Sequence, residues 1–144
     1  MDWDIEPEAR TGRRLRVLVA EDETIVRLDL CRLLERAGHQ VVADARDGAR
    51  AVELARLHLP DLVLTDVRMP HLDGLEAARR IVAERPVPIV VLTAYPQDEL
   101  IRRSAETGVY AYLLKPFREA ELLAAISLAE ARFADARASL ELAE

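Results

Sequence analysis

The sequence predicts a doubly wound α/β sandwich, a five-stranded parallel sheet with helices on both faces and an extended helix at its C-terminal end. Three observations predict it. From residue 15 onward, short β-branched runs alternate with amphipathic helical patterns; glycines and prolines fall between these segments; and 144 residues suffice for one hydrophobic core but not two.

Residues 1–14 lack periodicity and are rich in charge, so they are expected to form a mobile leader, with Trp3 disordered or resting on the surface. Strands are expected over residues 15–20, 40–45, 62–65, 89–93 and 110–114. Helices are expected over 23–37, 48–58, 74–84 and 97–107, and from Arg118 to the end. Val26, Leu30, Leu33 and Ala37 show the helical spacing in the first of these. Gly38 and Gly108 stand where helices should stop, and Pro60, Pro70, Pro86, Pro88, Pro96 and Pro116 all lie in connections. Parallel strands need crossovers of one hand, which lay helices on both faces of the sheet. Several strand orders satisfy this pattern. One of them, 2-1-3-4-5, reverses its winding between the first and third strands and so opens a ligand crevice beyond their carboxyl ends.

Composition narrows the function. The formal charge of -6 opposes unaided nucleic-acid binding by this segment. No apolar run approaches the roughly 18 residues that would span a bilayer, and the acidic, polar start is unlike a signal peptide, so a cytoplasmic protein with no membrane partner is expected. Cys31 is the only cysteine, which excludes an internal disulfide; it lies among Leu30, Leu33 and Leu34 and is read as a small core side chain. His39, His58 and His71 have no close metal-ligand spacing and are expected on the surface.

The strand ends carry the chemistry. The first strand runs into Glu21-Asp22 and the third into Asp66, so in the order above three carboxylates converge, and only a countercharge offsets their repulsion. Hard oxygen ligands suit Mg²⁺ or Mn²⁺. Lys115, at the end of the fifth strand, adds an ammonium. It is the sole lysine in a chain whose other basic residues are all arginine, and a compact ammonium reaches a single phosphate or carboxylate oxygen in a crowded pocket better than a broad guanidinium. Thr93 ends the fourth strand beside the small Ala94 and offers a hydroxyl at the same rim. Taken singly, Asp22 or Asp66 could cap a helix and Thr93 could be an ordinary strand residue; together they describe a phosphoryl site.

The set Glu21-Asp22, Asp66-Val67-Arg68-Met69-Pro70 with Asp73-Gly74, Thr93-Ala94, and Tyr112-Leu113-Leu114-Lys115-Pro116-Phe117 resembles the response regulator receiver family of two-component signalling, over about residues 15–128. The resemblance implies the flavodoxin-like order 2-1-3-4-5 and a phosphorelay role: Asp66 as phosphoacceptor from a sensor histidine kinase. It also implies Mg²⁺ held by Glu21, Asp22, Asp66 and the backbone carbonyl of Arg68. Lys115 and Thr93 would bind phosphoryl oxygens, with Ala94 beside them, and the Lys115–Pro116 bond would be cis. Tyr112 would turn inward as Thr93 moves, and the signal would leave through the surface of the fourth helix, fifth strand and fifth helix, where Leu100, Arg103, Tyr112 and Leu122 lie. Glu21 departs mildly from the family, where many members carry Asp.

The last segment is longer than this fold requires. Leu122, Ile126, Ala129, Phe133, Ala136, Leu140 and Ala143 repeat at spacings of four and three, a heptad pattern that predicts either a coiled-coil homodimer or a linker helix over residues 129–144 to an output domain. With the preceding motif, this helix resembles regulators with an RNA-binding antitermination (ANTAR-type) domain, which implies RNA contact through a segment beyond this chain. Two other functions compete. An aspartyl-nucleophile, magnesium-dependent phosphatase would carry a second acid where this chain has Arg68. A phosphorylation-independent dimerisation module of the same fold would have no use for the full set of acids, hydroxyl and lysine.

Overall fold

A computed structural model describes residues 13–94 and 109–143. In chain order the elements are β1 (Arg16–Ala20), α1 (Thr24–Arg36), β2 (Gln40–Ala45), α2 (Gly48–His58), β3 (Leu62–Asp66), α3 (Gly74–Glu84), β4 (Ile89–Thr93), β5 (Val109–Leu114) and α4 (Glu119–Ala143). The strands form one parallel sheet in the order β2-β1-β3-β4-β5, the one among the several allowed by the pattern that the family resemblance implies. The helix expected over 97–107 lies outside the described residues, as do Leu100, Arg103 and most of the leader.

Burial follows position in the sheet. All of β3 and β4 is buried, and so is β1 after Arg16, because the three central strands are covered on both faces. Alternate residues feed separate cores. Val17, Val19, Leu62, Leu64 and Leu92 pack with Leu30 and Leu34 of α1 and Leu122 and Ile126 of α4. Leu18, Ala20, Val63 and Val91 pack with Ala51 and Leu54 of α2 and Leu75 and Ile81 of α3. One face therefore carries α1 and α4, the other α2 and α3. The Asp47 and Asp73 carboxylates cap α2 and α3, each accepting a backbone N–H three residues on at 2.8 Å.

Two sequence expectations need correction. His39 is buried: after the left-handed turn at Gly38 (φ 101°) its ring tucks beneath β1, and its Nδ1 accepts the Leu15 N–H at 3.1 Å. Cys31 is half-buried against the core, and burial pushes its thiol up to about 11, which keeps it unreactive.

The second correction concerns α4. Leu122, Ile126 and Ala129 are at most 3% exposed and pack against the chain's own sheet. Leu122 is therefore no part of an output surface, and these three positions are no part of a dimer seam. The stripe at spacings of three and four serves the monomer's core first. Phe133 extends that contact edge-on to Tyr110, with ring centroids 5.7 Å apart, and Arg132 Nη1 donates to the Tyr110 carbonyl at 2.9 Å. Beyond it Ala136 is half-buried and Leu140 is 58% exposed. In dilute protein, Leu122→Ala should cost about 2–5 kcal/mol of stability in denaturant unfolding, and Leu140→Ala should stay within about 0.5 kcal/mol of wild type.

Candidate functional site

The carboxyl ends of β1, β3, β4 and β5 meet at one edge of the sheet, around a cavity of about 340 Å³ whose walls include Asp22, Asp66, Arg68, Thr93, Ala94 and Lys115. Glu21 lies beneath it, fully buried, while Asp22 is exposed and Asp66 is nearly buried. One carboxylate oxygen from each of Glu21, Asp22 and Asp66 lies within 4.8 Å of the others. Lys115 Nζ stands 3.0 Å from Glu21 Oε1 and 3.3 Å from Asp66 Oδ2. The residues that the sequence placed at four separate strand ends thus share one hollow.

The surrounding backbone fixes these side chains. Asp66 Oδ1 accepts the Val67 N–H at 2.8 Å, and the Thr65 hydroxyl donates to the Asp66 carbonyl at 3.0 Å. Glu21 donates its N–H to the Ala45 carbonyl across the β1–β2 gap, and its Oε2 accepts the Glu23 N–H at 3.1 Å. Lys115 is held to β4 by its N–H, which donates to the Thr93 carbonyl at 2.8 Å; the peptide bond after it is cis. Gly74 must be glycine here, since a Cβ would stand 1.7 Å from the Asp66 carbonyl oxygen.

Two residues act at the site without having stood out in the sequence, and Gly74 of the Asp73-Gly74 motif gains a physical role. Arg27 is buried in α1 and donates Nη1 to the Glu21 carbonyl at 2.8 Å, bracing the acidic loop. Glu23 lines the cavity and brings a third carboxylate to Lys115, at 3.7 Å. Gly74 controls how closely α3 approaches Asp66. Spacing hides Arg27, because an arginine on a helix has common structural uses; Glu23 hid within a run of acids. Tyr112, by contrast, is outside the cavity walls and 38% exposed on the edge strand β5.

Electrostatics mark the hollow as short of positive charge. Desolvation raises the Glu21 carboxyl to about 6 despite the adjacent ammonium, and raises Asp66 as well. Burial by itself would lower the Lys115 ammonium, yet Glu21 and Asp66 together raise it, so it stays charged. Glu21 Oε1 is buried and accepts no aligned hydrogen bond even with Lys115 nearby. A cluster of hard carboxylate oxygens, from three carboxyls of which burial makes two reluctant to ionise, fits a small divalent cation.

The raised Glu21 pKa has a sign. Between the ordinary value of 4.5 and about 6, the folded protein holds a proton that the unfolded chain has released. The stabilising contribution is complete below 4.5 and is lost as pH rises through about 6, with Asp66 adding a slope of the same sign. Thermal melts without metal should show this decline, Glu21→Gln should flatten it, and Mg²⁺ should raise Tm more above pH 6 than below 4.5.

Comparison with known proteins agrees with this geometry. PdtaR, a transcriptional regulatory protein of Mycobacterium tuberculosis, is 52% identical over 118 residues, which cover 82% of this chain and 58% of PdtaR. The chain thus spans a little over half the length of that relative. Protein CcdB of Bacillus subtilis is 34% identical over 113 residues, covering 78% of this chain and 94% of CcdB. The solved structure of a LuxR-family two-component response regulator from Aurantimonas is 34% identical, with a TM-score of 0.76 over 85% of this chain and 86% of its own. Residues 17–127 match the response regulator receiver domain, and the chain belongs to that family.

Proposed function

We propose that this chain is a phosphorylation switch in which Asp66 accepts a phosphoryl group from a sensor histidine kinase. The observation that carries this reading is the convergence of Asp66 with Glu21, Asp22 and Lys115. An Asp66 carboxylate oxygen would attack phosphorus in line, forming an acyl phosphate as the bond to the donor nitrogen breaks. Lys115 would move from pairing with the carboxylate to pairing with a phosphoryl oxygen, Thr93 would bind a second oxygen, and Ala94 leaves the space between them open. Glu21, Asp22, Asp66 and the carbonyl of Arg68 would hold Mg²⁺ or Mn²⁺, which when bound supplies neutralising charge. The family is one of non-enzymatic signalling domains, and the chemistry would be confined to self-phosphorylation and slow loss of the group.

The signal would pass from Thr93 to Tyr112 and out through β5, with Leu100 and Arg103, which lie outside the described residues, proposed as further output positions, as a shift between two existing conformations. The end of α4 beyond Phe133, where Leu140 is exposed, would then connect to a second copy or to an output domain, through the heptad positions Phe133, Ala136, Leu140 and Ala143. A relative named a transcriptional regulatory protein, together with the resemblance to antitermination regulators, favours RNA as the target of such an output domain. Among the described residues no helix is long and apolar enough to cross a membrane; the relay is proposed to be cytoplasmic on the family resemblance.

Incubation with acetyl phosphate and Mg²⁺ should add the mass of one phosphoryl group. Asp66→Asn should abolish the gain, and Lys115→Ala should slow it on the order of 10²-fold, as for removal of one oriented charge at a reacting centre. An unchanged gain in Asp66→Asn would place the acceptor elsewhere.

A further inference from the structure

Glu23 is the N-cap residue of α1, yet its side chain makes no capping hydrogen bond. Its carboxylate instead lines the cavity, 3.7 Å from Lys115 Nζ and with 65% of the side chain exposed. Its backbone already serves the loop, the N–H donating to Glu21 Oε2 and the carbonyl accepting the Arg27 N–H. The side chain is therefore spent on nothing structural in its own helix. It adds a fourth negative charge to Glu21, Asp22 and Asp66, and does so at the mouth, where an incoming donor must pass.

We infer that Glu23 is a specificity-determining residue: its carboxylate disfavours small dianionic phosphoryl donors and so favours donors whose leaving group carries a compensating positive charge, such as a protonated phosphoimidazole on a protein. The inference rests on the reading of Asp66 as phosphoryl acceptor and adds a filter to it. A like charge within a few ångströms of the entering phosphoryl group acts through water, so its effect is modest and screened by salt. Since the metal and Lys115 attract both kinds of donor, and Asp22, the other exposed carboxylate of the cavity wall, is taken up by the metal, discrimination falls to Glu23.

Two small donors separate the effect. Acetyl phosphate enters as a dianion; phosphoramidate enters as a zwitterion with one net negative charge, its nitrogen already bearing three hydrogens. In each case an Asp66 oxygen forms the O–P bond. The P–O bond of acetyl phosphate breaks with its electron pair leaving on acetate, or the P–N bond of phosphoramidate breaks with its pair leaving on ammonia.

Rates of phosphorylation of the whole chain with Mg²⁺ should be measured by mass for wild type, Glu23→Gln, Glu23→Ser and Glu84→Gln. Glu84 ends α3, roughly 15 Å along that helix from the site by its rise per residue, and controls for net charge. Both Glu23 variants should speed acetyl phosphate about three- to tenfold at low salt and phosphoramidate less than about twofold, with the difference vanishing near about 0.5 M salt. Glu84→Gln should change neither rate. Equal acceleration with both donors would mean that Glu23 acts only by holding Lys115 back, and it would overturn the filter, as would no acceleration at all. A wild-type chain that gains no phosphoryl group from either donor overturns the reading of Asp66 and the filter with it.

Discussion

Two carboxylates that are almost wholly removed from water, Glu21 and Asp66, face a single ammonium, and the C-terminal edge of the sheet is organised around keeping that arrangement intact. Lys115 lies within 3.3 Å of both, with only 19% of its side chain exposed. Removing one partner of so desolvated a group leaves uncompensated charge and costs about 3–5 kcal/mol in comparable sites. Even so the pairing is incomplete, since both carboxyls are raised and one Glu21 oxygen lacks an aligned donor. The folded chain thus gathers under-compensated carboxyls at one place, a donor set that suits a small divalent cation.

Rigid backbone is what makes this placement dependable. Glu21 and Asp66 extend from neighbouring strands, β1 and β3, whose register is locked by hydrogen bonds on both sides of each strand. Arg27 ties the acidic loop to the first helix, Val67 turns its N–H onto the Asp66 carboxylate, and Gly74 lets the third helix begin against the Asp66 carbonyl. Two of these contacts work through backbone atoms and cost little side-chain entropy, while the third immobilises the buried Arg27 side chain to hold the loop carbonyl.

At the other end of the molecule, α4 shows one apolar stripe serving two purposes. Its first turns complete the core beside α1, and Phe133 closes that contact against Tyr110. Past Phe133 the helix outruns the sheet, and the same spacing presents Leu140 to solvent. Through Phe133 and Arg132 the same continuous helix that ends in solvent is fastened to Tyr110 of β5.

The chain's own letters determined the fold class and which strand ends bear acids, hydroxyl and ammonium, because period, punctuation and charge are local properties of sequence, whereas they left the strand order open until the family resemblance singled one out. They also singled out Lys115, through a compositional contrast visible without any coordinates. Tertiary structure alone decided that Leu122, Ile126 and Ala129 face inward, since a core-facing helix and a coiled-coil seam share nearly the same period and differ only in what lies opposite. It alone buried His39 beneath β1 and brought Arg27 and Glu23 to the site. Those placements arise from how a turn or a helix is rotated against the sheet, a three-dimensional relation that no spacing along the chain encodes.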